Sequence, residues 1–144
     1  MTEAAAGVER VWADADDGGE LELLAVIVRA SVGVEQGLHW LTEPEALLQV
    51  GVMRRPAGHV IAGHTHAPLP RPVPRTWEVL FIRSGRCRVD LYDSARRPVV
   101  SHGLGAGDVI LLVGGGHGFT FEQDTELVEI RPGPWDARDK VRFD

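Results

Sequence analysis

The sequence predicts an all-β fold, an antiparallel barrel or sandwich built as one domain. Short apolar or alternating runs recur along the chain, and no segment after residue 45 keeps a helical period. Tight turns separate the runs, since the 144 residues include 17 glycines and 9 prolines. Many short strands joined by tight turns are typical of a closed or sandwiched antiparallel sheet.

The chain is predicted to divide into an arm and one domain. Residues 1–19 are rich in Ala, Asp and Gly without a sustained period, which indicates a flexible N-terminal arm. Residues 20–144 form the domain, including the C-terminal tail. The strand candidates within it are 21–30, 37–41, 46–54, 59–62, 77–83, 86–92, 98–102, 108–113, 118–122 and 126–131.

The first strand candidate, 21–30, is apolar on both faces. A strand of this kind needs cover on both sides, which a second subunit can supply. Because closed two-fold pairs are the commonest oligomers, a homodimer is expected.

Composition excludes several classes of function. The net charge is −6 and there is one cysteine, Cys87, so neither a basic nucleic-acid-binding face nor an internal disulfide is expected. No apolar run reaches the roughly 18 residues of a membrane span. The first 20 residues are acidic, unlike a secretory signal, and the expected location is the cytoplasm.

Four residues carry the chemistry. His64 and His66 are two positions apart, so on an extended chain both imidazoles project from one face and can converge on a metal ion. Glu78 shares a face with Leu80 and Ile82, where a carboxylate must be paired or metal-bound. His117 follows three glycines and shares a face with Phe119 and Phe121.

With these residues in place, the chain resembles the cupin family. The first cupin motif, G-x5-H-x-H-x3–4-E-x6-G, is matched by Gly58, His64, His66, Glu78 and Gly85. The second motif, G-x5-P-x-G-x2-H-x3-N, is matched by Gly107, Gly115 and His117.

The chain departs from both motifs. Eleven residues separate His66 from Glu78, so the proline-rich stretch 67–76 is an insertion that we expect to form a rim loop. Val113 replaces the motif proline, one residue is missing before His117, and the final asparagine is absent.

The resemblance implies a small barrel with a metal inside, held by His64, His66, Glu78 and His117. The ion is zinc, iron, manganese or nickel, and its open positions imply a metal-dependent enzyme that isomerises, cyclises or eliminates from a small metabolite. Glu78 and His117 are the expected catalytic residues. An iron-dependent dioxygenase, a non-catalytic ligand-binding cupin and a barrel without metal remain alternatives.

Four further residues are candidates for a substrate pocket. Arg75 and Trp77 flank the return of the rim loop, where a guanidinium can clamp an anion and an indole can cover a ring. His39 can line the barrel mouth, and Phe119 lies on the same face as His117.

Overall fold

The chain folds into two antiparallel sheets packed face to face, with a hairpin on the back of the larger sheet. The computed structural model describes residues 6–16 and 18–143. The strands are β1 (Val8–Asp14), β2 (Leu21–Val28), β3 (Gly37–Trp40), β4 (Gly51–Arg54), β5 (Glu78–Ser84), β6 (Arg86–Tyr92), β7 (Pro98–Gly105), β8 (Val109–Leu112), β9 (Gly116–Phe121) and β10 (Glu126–Ile130). A 3-10 turn, Ala137–Asp139, follows them.

The prediction of an all-β antiparallel fold is confirmed, whereas a closed barrel is not found among the described residues. The large sheet has the order β1-β2-β8-β5-β10, the small sheet β7-β6-β9, and β3 pairs with β4. Within these sheets β1 and β10, and likewise β7 and β9, remain edge strands. No helix in the described ranges is long and apolar enough to cross a membrane.

The main core lies between the two sheets. Alternation along β6 turns Cys87, Val89 and Leu91 inward, as predicted, and all three side chains are buried. They pack against Ile27 of β2 and Ile110 of β8 in one apolar cluster. The fold therefore places the inward faces of both sheets around a single interior.

A second apolar cluster covers the other face of the large sheet. Val26 and Leu111 on that face pack against Leu41, Leu48 and Val52, which come from the hairpin and its connection. Strand β2 is thus covered on both faces by its own chain. The cover that was expected from a second subunit is supplied by the same chain. Strand β2 therefore does not support the predicted homodimer.

The predicted flexible arm is wrong for residues 8–14, which form β1. This strand pairs antiparallel with β2 from Val8 opposite Val28 to Asp14 opposite Leu21. The buried residues of β1 are Val8, Val11 and Ala13. Because they lie among charged neighbours, the apolar pattern was too weak to predict a strand. Pairing with the strongly apolar β2 supplies the stability that the local sequence lacks. Residues 1–5 and 17 of the predicted arm lie outside the described residues.

The predicted strand 59–62 is also wrong, whereas the loop predicted at 67–76 is confirmed. Residues 53–76 are exposed throughout, and from residue 55 to residue 77 no strand forms. Val60 is 81% exposed and has no sheet to pack against. The alternating pattern does not give a strand here, because an extended segment needs a partner for its backbone groups.

A charged network ties β1 and β2 to the end of β8 that follows Asp108. The guanidinium of Arg29 donates from Nε to Glu9 Oε1 (2.6 Å) and from an NH group to Asp108 Oδ2 (3.0 Å). Asp108 also accepts from the backbone N–H groups of Ala30 and Gly105. The network fixes this end of the sandwich, and His102 Nδ1 lies 3.4 Å from Glu9 Oε2 beside it.

Candidate active site

An open cavity of about 1520 Å³ lies at the opposite end of β8 from Asp108. Apolar side chains from both sheets form part of its wall, namely Leu80, Leu112, Phe119, Phe121 and Leu127. Charged residues of the turns and of the tail line the rest. A concave site with an apolar wall and a few polar groups is the usual setting for small-molecule binding.

Strand β5 carries Glu78 into this cavity. Glu78 lies opposite Leu112 of β8 and begins the inward series that continues with the buried Leu80 and Ile82. Its side chain is 13% exposed. The predicted inward carboxylate is therefore present, and it lines the cavity.

A glycine turn brings His117 to the same place. Gly115 has a φ of +57°, and a Cβ there would overlap the carbonyl oxygen of Tyr92 and press on Leu24. Only glycine adopts this conformation in this space without strain. Strand β9 then starts at Gly116, and His117 lies opposite Leu91 with its ring beside Phe119, 5.9 Å between centroids.

Glu78 and His117 form a direct pair. His117 Nε2 lies 3.0 Å from Glu78 Oε2, and an NH group of Arg131 lies 3.6 Å from Glu78 Oε1. The hydrogen bond from His117 lowers the pKa of the Glu78 carboxyl against the opposing effect of burial, and the charges of Arg131 and Lys140 lower it further. Glu78 is thus an ionised carboxylate at neutral pH.

Sequence reasoning missed Arg131. It also contacts Glu129 (3.6 Å) and Asp139 (3.7 Å), so it joins β10 to the tail. The signal was available: Leu127, Glu129 and Arg131 continue one alternating series, and Leu127 packs on the main core. An arginine two positions beyond an inward glutamate is a candidate partner for a buried acid.

The C-terminal tail, residues 131–143, lines the cavity with its last residues, 139–143. The Thr76 hydroxyl donates to Asp139 Oδ1 (2.7 Å), which attaches the tail to the end of the proline-rich loop. Phe143 packs edge to face on Tyr92, with 5.1 Å between centroids, and Arg96 lies 5.5 Å from the Phe143 ring centroid. Trp135 is 74% exposed and does not fill the cavity.

The structure does not bring His64 and His66 to the pair. Both lie in the exposed stretch 53–76; their rings are 5.2 Å apart, and His64 Nδ1 lies 3.0 Å from the carbonyl oxygen of Ala62. Four ligands must lie within about 2.0–2.2 Å of one ion. Among the described residues no three His, Cys, Asp or Glu side chains are grouped closely enough to hold a metal. As placed, the four predicted ligands do not fit one ion.

The predicted pocket residues separate into two groups. Arg75 and Phe119 line the cavity, and Arg75 lies 3.8 Å from Glu22. Trp77 packs in the cluster on the other face of the large sheet. His39 lies on β3 with Nε2 3.2 Å from the carbonyl oxygen of Gln36. Neither His39 nor Trp77 is among the described residues that line the cavity.

Comparison with known proteins adds no relative. No family model, no curated protein and no solved structure matches the chain. The residues of this cavity are therefore the basis for assigning a function.

Proposed function

We propose that this protein is an enzyme acting on a small metabolite, which it isomerises, cyclises or cleaves by elimination through proton transfer at His117. One observation carries the proposal: the 3.0 Å contact between His117 Nε2 and Glu78 Oε2 in a cavity of about 1520 Å³. A positioned imidazole beside a carboxylate is a common general acid–base unit.

The pair assigns a role to each ring nitrogen. An ionised carboxylate only accepts hydrogen bonds, so His117 donates through Nε2 and its Nδ1 carries the lone pair when the ring is neutral. Nδ1 is then the base. It takes a proton from the substrate and returns it at another position, or to a leaving group. Glu78 fixes the tautomer and stabilises the imidazolium that forms between these steps, as carboxylates do in catalytic triads.

The surroundings of the pair favour a substrate with both apolar and polar parts. Leu80, Phe119 and Leu127 offer an apolar surface, while Arg131 faces the carboxylate of Glu78 from the tail. The cavity exceeds the roughly 300–1,000 Å³ of most small-molecule pockets, because it is partly open to solvent. A metabolite of ordinary size has room beside the pair.

Solvent exchange tests the proposal directly. Small carbonyl compounds and hydroxy acids are incubated with the protein in D₂O, and loss of carbon-bound proton signals is followed by NMR. We expect exchange or conversion of one substrate class by the wild type, and at least a 100-fold slower rate for Glu78→Gln, since general acid–base catalysis contributes about 10²–10⁴-fold. Equal rates in both proteins would overturn the proposal.

A metal-dependent form of this enzyme is the second candidate. The resemblance to cupins favours it, and so does the 5.2 Å separation of the His64 and His66 rings, which already lie side by side. It requires residues 57–66 to move to the cavity, where His64 and His66 would join Glu78 and His117 around zinc, iron, manganese or nickel. When bound, such an ion supplies Lewis acidity or, as iron, oxygen chemistry.

Metal titration separates the two candidates. The metal-dependent form predicts one Ni²⁺ or Zn²⁺ per chain, with binding lost in His64→Ala/His66→Ala and in His117→Ala alike. His39→Ala is the matched control, because His39 lies on the hairpin away from the cavity. If His117→Ala still binds the metal, the ion is held by the exposed loop alone. That result would contradict the metal-dependent form and would leave the acid–base proposal unaffected.

A further inference from the structure

We infer that Arg96, Lys140 and Arg142 form an anion subsite in this cavity, which holds a phosphate or another dianionic group of the substrate. The inference rests on the proposed function, because it places this group beside the Glu78–His117 pair. All three residues line the same cavity as the pair.

The ion pairs of the cavity leave some of its cations unpaired. Most of its carboxylates are paired with a cation: Arg97 pairs with Asp16 and Asp93, Arg75 with Glu22, and Arg131 with Glu78, Glu129 and Asp139, whereas Glu20 has no ion pair among the described residues. Arg96, Lys140 and Arg142 have no carboxylate within ion-pair distance among the described residues. These three cations outnumber the one unpaired carboxylate of the lining and are available to an anionic ligand, although the chain as a whole carries −6.

The tail segment that carries Lys140 and Arg142 is anchored on both sides. A Cβ at Gly116 would lie 2.8 Å from Phe143, so the missing side chain leaves room for the Phe143 ring. The ring also contacts Tyr92 and lies under Arg96. Arg131 and Asp139 hold the other end of the tail. Lys140 and Arg142 are thus carried on a segment attached on both sides of them.

The chemistry of the three cations indicates the kind of ligand. Guanidinium groups bind oxyanions through paired N–H donors, and an ammonium adds a point charge. Three cations around one region favour a dianion over a monocarboxylate. The charge of Lys140 makes a small contribution to the lowered pKa of the Glu78 carboxyl, and both residues line the same cavity. A phosphate ester held there would present its carbon chain to the apolar wall.

Binding of inorganic phosphate, with acetate as the monovalent comparison, tests the subsite. Affinity is measured by NMR titration at low salt for wild type, Lys140→Ala/Arg142→Ala and the control Arg138→Ala. Arg138 lies on the same tail but is 90% exposed and paired with Asp136. We expect phosphate to bind more tightly than acetate, with at least tenfold weaker binding in the double variant and none of this loss in the control.

Three outcomes overturn the subsite: equal affinity in the wild type and the double variant, equal loss in Arg138→Ala, or no preference for phosphate over acetate. Melting curves of each variant show whether it is folded, which the exposed positions of Lys140 and Arg142 favour. His117→Ala separates this inference from the proposed function. If that variant binds phosphate but retains full turnover, the acid–base role fails while the subsite stands.

Discussion

Two imidazole–carboxylate pairs of the described residues lie toward opposite ends of the sandwich, and the His117–Glu78 pair lines the large cavity. His117 and Glu78 are 3.0 Å apart in the cavity, and His102 and Glu9 are 3.4 Å apart beside Arg29 and Asp108. The carboxylate of the cavity pair is the more buried of the two: 13% of the Glu78 side chain is exposed, against 40% of the Glu9 side chain. The same two residue types therefore occupy different environments.

The difference lies in how the carboxylates are satisfied. Glu9 is held by Arg29 at 2.6 Å, and Arg29 in turn binds Asp108, whose oxygens accept two backbone N–H groups. The cavity carboxylate has one short contact, to His117, and a longer one to Arg131. A hydrogen-bonded network of this kind stabilises the fold, whereas an imidazole that lines a cavity can exchange protons with a ligand.

The largest expected effect is on catalysis. His117→Ala should lower the rate of solvent exchange or turnover by at least about 100-fold, because it removes the proton-transferring group. His102→Ala removes the same side chain at the other end and should leave the rate unchanged. NMR-monitored exchange on both variants makes the comparison. A similar loss in both would mean that the cavity pair has no special role.

The next effect is on stability at the other end. Asp108→Ala should lower the free energy of unfolding by about 1–3 kcal/mol, because two partly buried hydrogen bonds from backbone N–H groups and the contact with Arg29 lose their acceptor. Glu126→Ala is the control, since its pair with Arg83 is 3.8 Å long and well exposed, and such pairs contribute about 0–1 kcal/mol. Urea unfolding measures both. Equal losses would show that the Asp108 network does not hold this end.

Acid should weaken the same network. Hydrogen bonds from Arg29 lower the pKa of Glu9, and backbone and Arg29 hydrogen bonds lower that of Asp108, so the folded state binds fewer protons than the unfolded state. The resulting stabilisation is complete above the ordinary carboxyl range near pH 4, and it is lost as the pH falls from there through the lowered pKa values of the folded state. Melting temperatures from pH 7 to pH 3 should fall less steeply for Asp108→Asn than for wild type. An identical slope would contradict this.

The smallest effect should come from the cavity pair in the same stability measurement. Glu78→Gln keeps the shape of the side chain and an oxygen that can accept from His117, so we expect a change of less than about 1 kcal/mol in the free energy of unfolding. Urea unfolding of Glu78→Gln and of Asp108→Ala under the same conditions compares their losses in free energy of unfolding. A loss as large as that of Asp108→Ala would make the cavity pair a structural element.

Much of the site could be predicted from the sequence because it depends on alternation. Glu78 shares its face with Leu80 and Ile82, and three glycines before His117 require a sharp turn; both residues line the cavity. The inward face of β6 follows from the same period of two. The same alternation could have predicted Arg131 as a partner of Glu78, since it continues the series of Leu127 and Glu129.

The sequence by itself determined which residues face inward along β5 and β6, because that pattern is local and repeats every two residues. Tertiary structure alone decided that β1 forms against β2 and that the hairpin covers the back of the large sheet. It also decided that 59–62 finds no partner, which leaves His64 and His66 exposed. Strand pairing joins residues far apart in the chain, so its outcome depends on which apolar strands are available and not on the local pattern.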